Sequence, residues 1–239
     1  MYSLVITNHN RSHFVIQAFI QVLDNPLISE IVIADDFSDE VVYDELRNLI
    51  GSLNNPKIKL LRNHKNLGPL MNKYFVVTKA KCDWCIMLDS DNIIDNTYVE
   101  KIHALTKKED TIYCPEILYK EGKEVINFDY RQFIGLTVDK YVAKRNIKNK
   151  FFECWLNTGN FFFNKYRYMK AIEENVLDFE LGTSDSVYFN YLWLIHGGRL
   201  QLVPGLNYVH RIHKGSWYKN NLVKCNKATI AIKKMIETA

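Results

Sequence analysis

The sequence predicts an α/β fold with a mostly parallel sheet, and three observations support this prediction. Apolar segments typical of strands alternate with segments of helical period through the first half, the pattern of βαβ units. The chain has 239 residues with ordinary fractions of hydrophobic (47%) and charged (24%) residues, which is typical of a globular protein. It contains no Gly- or Ser-rich linker. We therefore expect both halves of the chain to share one continuous sheet.

The elements of the first half follow from two local patterns. Strands are predicted where apolar residues run together, and helices where apolar residues recur every three to four positions. The predicted strands are residues 3–7, 30–34, 57–61, 83–88 and 111–119. The predicted helices are residues 12–23, 39–50, 69–80 and 95–107. Pro26 is expected to stop the first helix and Gly51 to end the second.

The second half has a weaker pattern, and fewer of its elements can be predicted. Phe161, Phe162 and Phe163 indicate a buried strand. The other predicted elements are a helix at 184–196, a short strand at 200–203 and an amphipathic C-terminal helix at 219–238.

Composition and charge exclude several classes of protein. The 31 basic and 27 acidic residues give a net charge of +4, which is far from the balance of a nucleic-acid binder. Five cysteines do not suggest a disulfide framework, and the Cys82–Cys85 pair lacks the second pair that a structural zinc site needs. No signal peptide or apolar run of membrane-spanning length is predicted. We expect a cytoplasmic protein with at most weak peripheral membrane contact.

Polar clusters follow four of the predicted strands. Parallel sheets bind ligands beyond the carboxyl ends of their strands, where the loops diverge. One cluster alone is typical of a turn, but four together predict a pocket. The clusters are Asn8-His9-Asn10-Arg11, Asp35-Asp36, Arg62-Asn63-His64-Lys65-Asn66 and Asp89-Ser90-Asp91-Asn92.

Asp89 and Asp91 are candidate metal ligands. On an extended backbone, residues two positions apart project to the same side. Two carboxylates on one side suit Mg²⁺ or Mn²⁺, with water and phosphate oxygens completing the coordination. The alternative is a turn with a helix cap, because Asp-Ser-Asp-Asn has good turn composition. The position directly after a buried strand favours the metal.

Four segments also occur in the order found in a known enzyme family. They are Leu-Val-Ile-Thr-Asn-His-Asn-Arg at 4–11, Ile-Val-Ile-Ala-Asp-Asp-Phe-Ser-Asp at 31–39, Asn-Leu-Gly-Pro at 66–69 and Leu-Asp-Ser-Asp-Asn at 88–92. Together they resemble the inverting family 2 glycosyltransferases of the GT-A fold, well over 1–120 and more loosely over 150–217. The family usually has Pro-Thr-Tyr-Asn at 7–10 and glycine at position 37, where this chain has Thr-Asn-His-Asn and Phe37.

The resemblance implies a single GT-A domain over residues 1–239, with a Rossmann-like sheet and helices on both faces. Its parts would be a nucleotide-sugar-binding half (1–120), an acceptor-binding half (121–217) and a C-terminal helix (218–239). The implied activity is metal-dependent, inverting transfer of a sugar from a nucleoside-diphosphate sugar, most often a UDP-sugar. The acceptor would be a hydroxyl of a glycan or lipid-linked molecule in polysaccharide biosynthesis, and the cofactor Mn²⁺ or Mg²⁺.

Two other hypotheses remain open. A nucleotidyltransferase also combines an α/β sheet with carboxylates and a metal, although no glycine-rich basic loop follows the first strand here. A sugar-nucleotide-binding module that has lost turnover would keep Asp89 and Asp91 but lack a usable base.

The resemblance also implies roles on the donor side. Asp35 or Asp36 would bind the base or ribose, since carboxylates accept from the uracil imide and from hydroxyl groups. Asp91 would bind the metal with Asp89 and His213, the latter preferred over His210. Arg211 or Lys214 would screen the departing phosphate. The implied donor-binding set is Asn8, Arg11, Asp35, Asp36, Arg62, Lys65, Asp89, Ser90 and Asp91.

On the acceptor side, the resemblance implies a loop that contains Trp155, Gly159 and Asn160. Trp155 would stack on a sugar face, or lie in the core. Asp185 opens a predicted helix where the family places its catalytic carboxylate, and inverting transfer needs one carboxylate to take the proton of the acceptor hydroxyl. Asp178 and Glu180 are the alternatives for this base. Asp185 could also simply stabilise the helix dipole.

Overall fold

The computed structural model describes residues 1–120, 123–149, 159–175, 177–178, 180–211, 213 and 216–239. The strands are β1 Tyr2–Asn8, β2 Ile28–Asp35, β3 Ile58–Arg62, β4 Trp84–Asp89, β5 Thr111–Lys120, β6 Lys123–Asp129, β7 Thr137–Val138, β8 Phe162–Asn164 and β9 Arg199–Val209. The helices are α1 Ser12–Phe19, α2 Glu40–Leu53, α3 Pro69–Thr78, α4 Asn96–His103, α5 Lys140–Asn146, α6 Lys165–Glu173, α7 Asp185–Ile195, α8 Trp217–Asn220 and α9 Leu222–Thr238.

The strands that the structure describes form one nine-stranded sheet in the order β3-β2-β1-β4-β8-β5-β9-β7, with β6 paired to β5. The pairs β1·β2, β1·β4, β2·β3 and β5·β9 are parallel. Strand β8 pairs antiparallel with both β4 and β5 and so joins the two parallel groups. The prediction of an α/β fold whose mixed, mostly parallel sheet runs through both halves is confirmed.

The centre of the sheet is buried on both faces, which explains the continuous apolar runs in its strands. Leu4, Val5 and Ile6 of β1 are all fully buried. Side chains of a strand alternate between faces, so three consecutive buried residues require helices or loops against each face. A central strand of this kind has a well-defined position, and its carboxyl end is a rigid base for a site.

Some predicted boundaries were wrong. Gly51 lies inside α2, which continues to Leu53 because Leu53 packs against the core. The helix then ends at Asn54, whose left-handed conformation (φ 44°) provides the cap expected of glycine. Strand β9 covers 11 residues, well beyond the short strand predicted at 200–203, because it pairs with β5 along its length.

The register of the sheet brings the predicted polar clusters to one edge. Asn8 at the end of β1 pairs with Asp35 at the end of β2, and Thr7 pairs with Asp89 at the end of β4. Asp35 pairs in turn with Arg62 at the end of β3. The carboxyl ends of four neighbouring strands are therefore side by side, as the sequence predicted.

Candidate active site

A cavity of about 620 Å³ lies at this edge of the sheet. This volume is within the range of small-molecule binding sites. Its walls come from the β1–α1 loop, α3, the end of β4, the start of α7, the end of β9, α8 and α9. The predicted ligand His213 is not among its lining residues; the predicted residues that line it are Asn8, Arg11, Asp36, Asp89, Asp91, Gly159, Asn160, Asp185, His210 and Arg211.

Of the two consecutive aspartates after β2, Asp36 faces the cavity. Its carboxylate accepts hydrogen bonds from the backbone nitrogens of Leu67 (2.8 Å) and Gly68 (2.9 Å), and from Asn63. Asp36 thus holds the loop that precedes α3. Asp35 is fully buried behind the cavity wall and accepts from Asn8 Nδ2 at 3.0 Å. Where the sequence left Asp35 and Asp36 as alternatives for base or ribose binding, the structure brings only Asp36 to the cavity.

Arg62, Lys65 and Ser90, which were predicted to contact the donor, do not line the cavity. The Arg62 guanidinium donates to Glu40 at 2.7 Å and to the Ser38 carbonyl at 2.8 Å, and lies 4.3 Å from the Tyr43 ring centre. These partners hold it on the α2 side of the strand ends. Lys65 is exposed and Ser90 is fully buried.

Asp89 and Asp91 do not project as they would from an extended strand. Strand β4 ends at Asp89, and the Asn92 nitrogen donates to the Asp89 carbonyl at 3.0 Å, which closes a turn. Asp91 Oδ2 accepts from Arg11 Nη1 at 2.8 Å and lies 3.0 Å from His213 Nε2. The premise that both carboxylates point to one side of a strand was wrong, although both line the same cavity.

The cavity also contains a buried cation, Lys73 of α3, which is 7% exposed. Its Nζ lies 3.0 Å from Asp89 Oδ1 and 2.6 Å from Asp185 Oδ2, so it bridges the end of β4 and the start of α7. Burial alone would lower the pKa of Lys73, but the charges of Asp185 and Asp89 outweigh burial and raise it above its ordinary value. Burial would likewise raise the pKa of Asp89, but Lys73, Arg11 and His210 hold it below the usual value.

Sequence reasoning missed Lys73. A lysine inside a helix is normally interpreted as a solvated residue. The available signal was its spacing: Lys73 follows the buried Leu70 by three positions and precedes the buried Val77 by four, so it lies on the apolar face of α3. A charged residue on such a face requires a buried partner of opposite charge.

Asp185 is the first residue of α7, and it lines the cavity as predicted for the base. The alternatives are placed differently. Asp178 accepts from the backbone nitrogens of Glu180 (2.9 Å) and Leu181 (3.2 Å), and neither acidic residue lines the cavity. Of the three candidates, the structure brings only Asp185 to the cavity.

Gly159 and Asn160 form a turn that is fixed to Asp89. Asn160 has a left-handed backbone (φ 57°), and its Oδ1 accepts from the Asp89 nitrogen at 2.8 Å. Its carbonyl accepts from Tyr98 at 2.6 Å. A Cβ on Gly159 would lie 3.8 Å from Asp89 Oδ2, so this glycine borders the carboxylate. The third predicted acceptor-side residue, Trp155, lies outside the described residues.

Two of the three predicted metal ligands lie next to each other, Asp91 and His213. Asp91 and His213 supply one carboxylate and one imidazole within 3.0 Å of each other, a combination that suits Mn²⁺. Asp89 is engaged by Lys73 instead, and His210 Nδ1 lies 3.0 Å from Asn92 Oδ1. In the part of the chain that the structure describes, no group of three or more His, Cys, Asp or Glu side chains is arranged to hold a metal. Lys214 is outside that part.

Sequence comparison now decides the family. Residues 3–176 match the model of the family described as "Glycosyl transferase family 2". The chain belongs to glycosyl transferase family 2. A curated relative, the Mus musculus protein "Inactive polypeptide N-acetylgalactosaminyltransferase-like protein 5", is 30% identical over 95 residues, which are 38% of this chain and 21% of that protein. The family 2 chain thus matches about a fifth of the length of this relative.

Solved structures show the same fold. S. aureus TarS 1–349 in complex with UDP-GlcNAc has a TM-score of 0.68 and 15% identity, covering 99% of this chain and 70% of that one. GalNAc-T7 with UDP, GalNAc and Mn²⁺ has a TM-score of 0.62 and 18% identity, covering 98% of this chain and 47% of that one. The GT-A resemblance is confirmed at the level of family and fold. Among the described helices of this family 2 chain, none is long and apolar enough to cross a membrane.

Proposed function

We propose that this protein is an inverting glycosyltransferase that uses a UDP-sugar and a divalent cation. The observation that carries the proposal is the placement of Asp185. This carboxylate lines the same cavity as Asp89 and Asp91, and Lys73 pairs with both Asp185 and Asp89. Attack from behind needs a base and a leaving-group site in one cavity, and the shared lining meets that requirement.

In this mechanism the acceptor hydroxyl lies against Asp185 and its oxygen attacks the anomeric carbon. Asp185 takes the hydroxyl proton as the new C–O bond forms. The bond to the diphosphate breaks on the opposite face, and its electron pair leaves with the phosphate oxygen. Lys73 keeps the Asp185 carboxylate in place during this exchange, since its Nζ lies 2.6 Å from Oδ2.

The donor diphosphate lies on the Arg11 and Asp91 side of the cavity. Asp91 and His213 would hold the cation, which supplies positive charge to the departing diphosphate. The bound ligands of the structural relatives support this choice: TarS was solved with UDP and with UDP-GlcNAc, and GalNAc-T7 with UDP and Mn²⁺. The acceptor as a glycan or lipid-linked hydroxyl, the cytoplasmic location and the division at residues 120 and 217 stay predictions.

Replacing Asp91 tests the donor side. We expect Asp91→Ala to abolish the Mn²⁺-dependent part of UDP binding, because Arg11 and His213 lose their shared carboxylate. The measurement is isothermal titration of UDP with and without Mn²⁺. Asp44→Ala, at an exposed position of α2, is the control and should bind as the parent does. Unchanged Mn²⁺-dependent affinity in Asp91→Ala would remove Asp91 from the site.

Replacing Asp185 tests the chemistry. Asp185→Asn should leave UDP affinity unchanged and reduce transfer and donor hydrolysis by at least about a hundredfold, the usual contribution of a general base. UDP release from a panel of UDP-sugars is the measurement. Full turnover in Asp185→Asn would exclude it as the base.

The second candidate function is a donor-binding module without turnover. One observation favours it: Lys73 pairs with Asp185, and so competes for the carboxylate that would act as base. UDP binding without any UDP release in the parent protein, across the sugar panel, would establish this alternative.

A further inference from the structure

The cavity continues beyond Asp185 to a wall formed by α8 and α9. This wall takes no part in the mechanism proposed for Asp185 and Asp91. We call it the C-terminal wall; it consists of Trp217, Lys219, Cys225, Asn226, Thr229 and Lys233.

Hydrogen bonds fix the C-terminal wall against the residues that precede Asp185. Trp217 Nε1 and Cys225 Sγ both donate to the Thr183 carbonyl, each at 3.2 Å. Ser184 Oγ lies 2.9 Å from Thr229 Oγ1. The pKa of the Cys225 thiol is raised by burial and by the charge of Asp185. The wall is therefore on the Asp185 side of the cavity, where the acceptor must enter.

Charge is unevenly distributed between the two sides of the cavity. The described carboxylates that line it lie at the ends of β2 and β4 and at the start of α7, and the cations Arg11, Lys73 and Arg211 line the cavity with them; the carboxylates are Asp36, Asp89, Asp91 and Asp185. The C-terminal wall contributes two lysines from two different helices, Lys219 and Lys233, and no acidic residue. An acceptor that reaches Asp185 thus shares the cavity with the ammonium groups of the C-terminal wall.

Helix α9 has a buried side, a cavity side and an outer side. Its buried residues are Cys225, Ala228, Ile232 and Ile236. Lys233 faces the cavity, whereas Lys227 and Lys234 are exposed and do not line it. The helix therefore carries one lysine that lines the cavity, Lys233, and two that do not, Lys227 and Lys234, and the latter two can serve as controls.

We propose that the C-terminal wall binds a phosphate ester carried by the acceptor, through Lys219 and Lys233. This inference rests on the proposed function, because it assigns the substrate class of that same site. Lysine binds phosphate as a compact point charge, and two lysines from separate helices can approach one phosphate from two directions. The negative charge of the phosphate neutralises the two ammonium groups of the wall, while the acceptor hydroxyl stays near Asp185.

The test compares cavity lysines with outer lysines on protein loaded with UDP and Mn²⁺. Glucose 6-phosphate and methyl glucoside serve as charged and neutral probes, and their dissociation constants are measured by ligand-observed NMR. We expect the parent to prefer glucose 6-phosphate. The double variant Lys219→Ala/Lys233→Ala should bind it at least about tenfold more weakly, the effect of losing charged hydrogen bonds. Lys227→Ala/Lys234→Ala should bind it as the parent does.

The affinity for UDP separates this inference from the proposed function. If the parent does not bind UDP, the proposed function fails and the inference fails with it. If UDP binds but the Lys219→Ala/Lys233→Ala variant loses affinity for UDP, the wall belongs to the donor diphosphate and the proposal is overturned. Equal binding of glucose 6-phosphate by parent and double variant also overturns it.

A second arm identifies the source of the phosphate. Vesicles that contain phosphatidylglycerol are sedimented with each protein. Binding lost in Lys219→Ala/Lys233→Ala but kept in Lys227→Ala/Lys234→Ala assigns the phosphate to a lipid headgroup in the cavity. Binding lost only in Lys227→Ala/Lys234→Ala describes attachment through the outer side of α9 and counts against a cavity site.

Discussion

Lys73 shows how one buried charge can organise a site. It is 7% exposed and pairs with carboxylates from β4 and α7, two elements that are far apart in sequence. We expect Lys73→Met to lower the free energy of unfolding by about 3 kcal/mol, because removing one partner leaves the other charges buried without compensation. Urea unfolding of the ligand-free protein is the measurement.

The control is Lys170→Met on α6, where Lys170 pairs with Glu174 at 3.6 Å and is 56% exposed. Exposed pairs of this kind contribute at most about 1 kcal/mol, so this variant should be nearly as stable as the parent. Adding Asp185→Asn to Lys73→Met should restore part of the loss, since it removes one of the uncompensated charges. Equal losses for Lys73→Met and Lys170→Met would contradict the buried bridge.

At the residue scale, the sequence predicted what depends on local position. Asp36 and Asp89 follow buried strands and Asp185 opens a helix, and the structure brings all three to the cavity. The partners of side chains were not predictable in the same way. Arg62 lies away from the cavity because Glu40 and Tyr43 attract it, and both belong to a helix whose docking the sequence does not show.

At the element scale, two glycines should respond to alanine in opposite ways. Gly198, between α7 and β9, has no room, because an added Cβ would clash with Trp193 Nε1 and lie 2.6 Å from the Trp193 carbonyl. Gly51 in α2 has nothing within 4 Å of an added Cβ. We expect Gly198→Ala to destabilise by several kcal/mol through overpacking. Gly51→Ala should stabilise by about 1 kcal/mol through helix propensity. Thermal unfolding of both variants checks the two signs, and a stabilised Gly198→Ala would refute the packing argument.

Elements with a local sequence pattern were predictable, whereas elements whose extent depends on a partner strand were not. Strands β1 to β4 and helix α3 have patterns that are visible within their own residues. The full length of β9 is set by its partner β5, and β7 has only two residues and depends on β9 for its pairing. The short strand β8, which joins the two parallel groups, was predicted from the run Phe161-Phe162-Phe163, and all three phenylalanines are buried.

At the scale of the whole molecule, one sheet through both halves implies that the described halves unfold together. The ionisation of buried tyrosines on different elements provides a measure of this joint unfolding. Tyr98 of α4 donates to the Asn160 carbonyl at 2.6 Å, and Tyr168 of α6 stacks on Phe189 of α7 with ring centres 4.2 Å apart. Each is only 1% exposed. Burial raises the pKa of Tyr98 and of Tyr168 well above the ordinary value for a phenol.

This raised pKa predicts a loss of stability at alkaline pH. Unfolded tyrosine releases its proton near pH 10, whereas the folded protein keeps both phenols protonated. Their contribution is therefore complete below about pH 10 and is lost as the pH rises toward the folded pKa. Each group should add about 1.4 kcal/mol of destabilisation per pH unit. Urea unfolding between pH 9 and about 11.5, with tyrosinate absorbance recorded, measures this slope. Tyr168→Phe keeps the aromatic ring but removes one titrating phenol, so the slope of unfolding free energy against pH should fall by the contribution of one group, about 1.4 kcal/mol per pH unit. Tyrosinate absorbance of both groups appearing near pH 10, before unfolding, would contradict their burial.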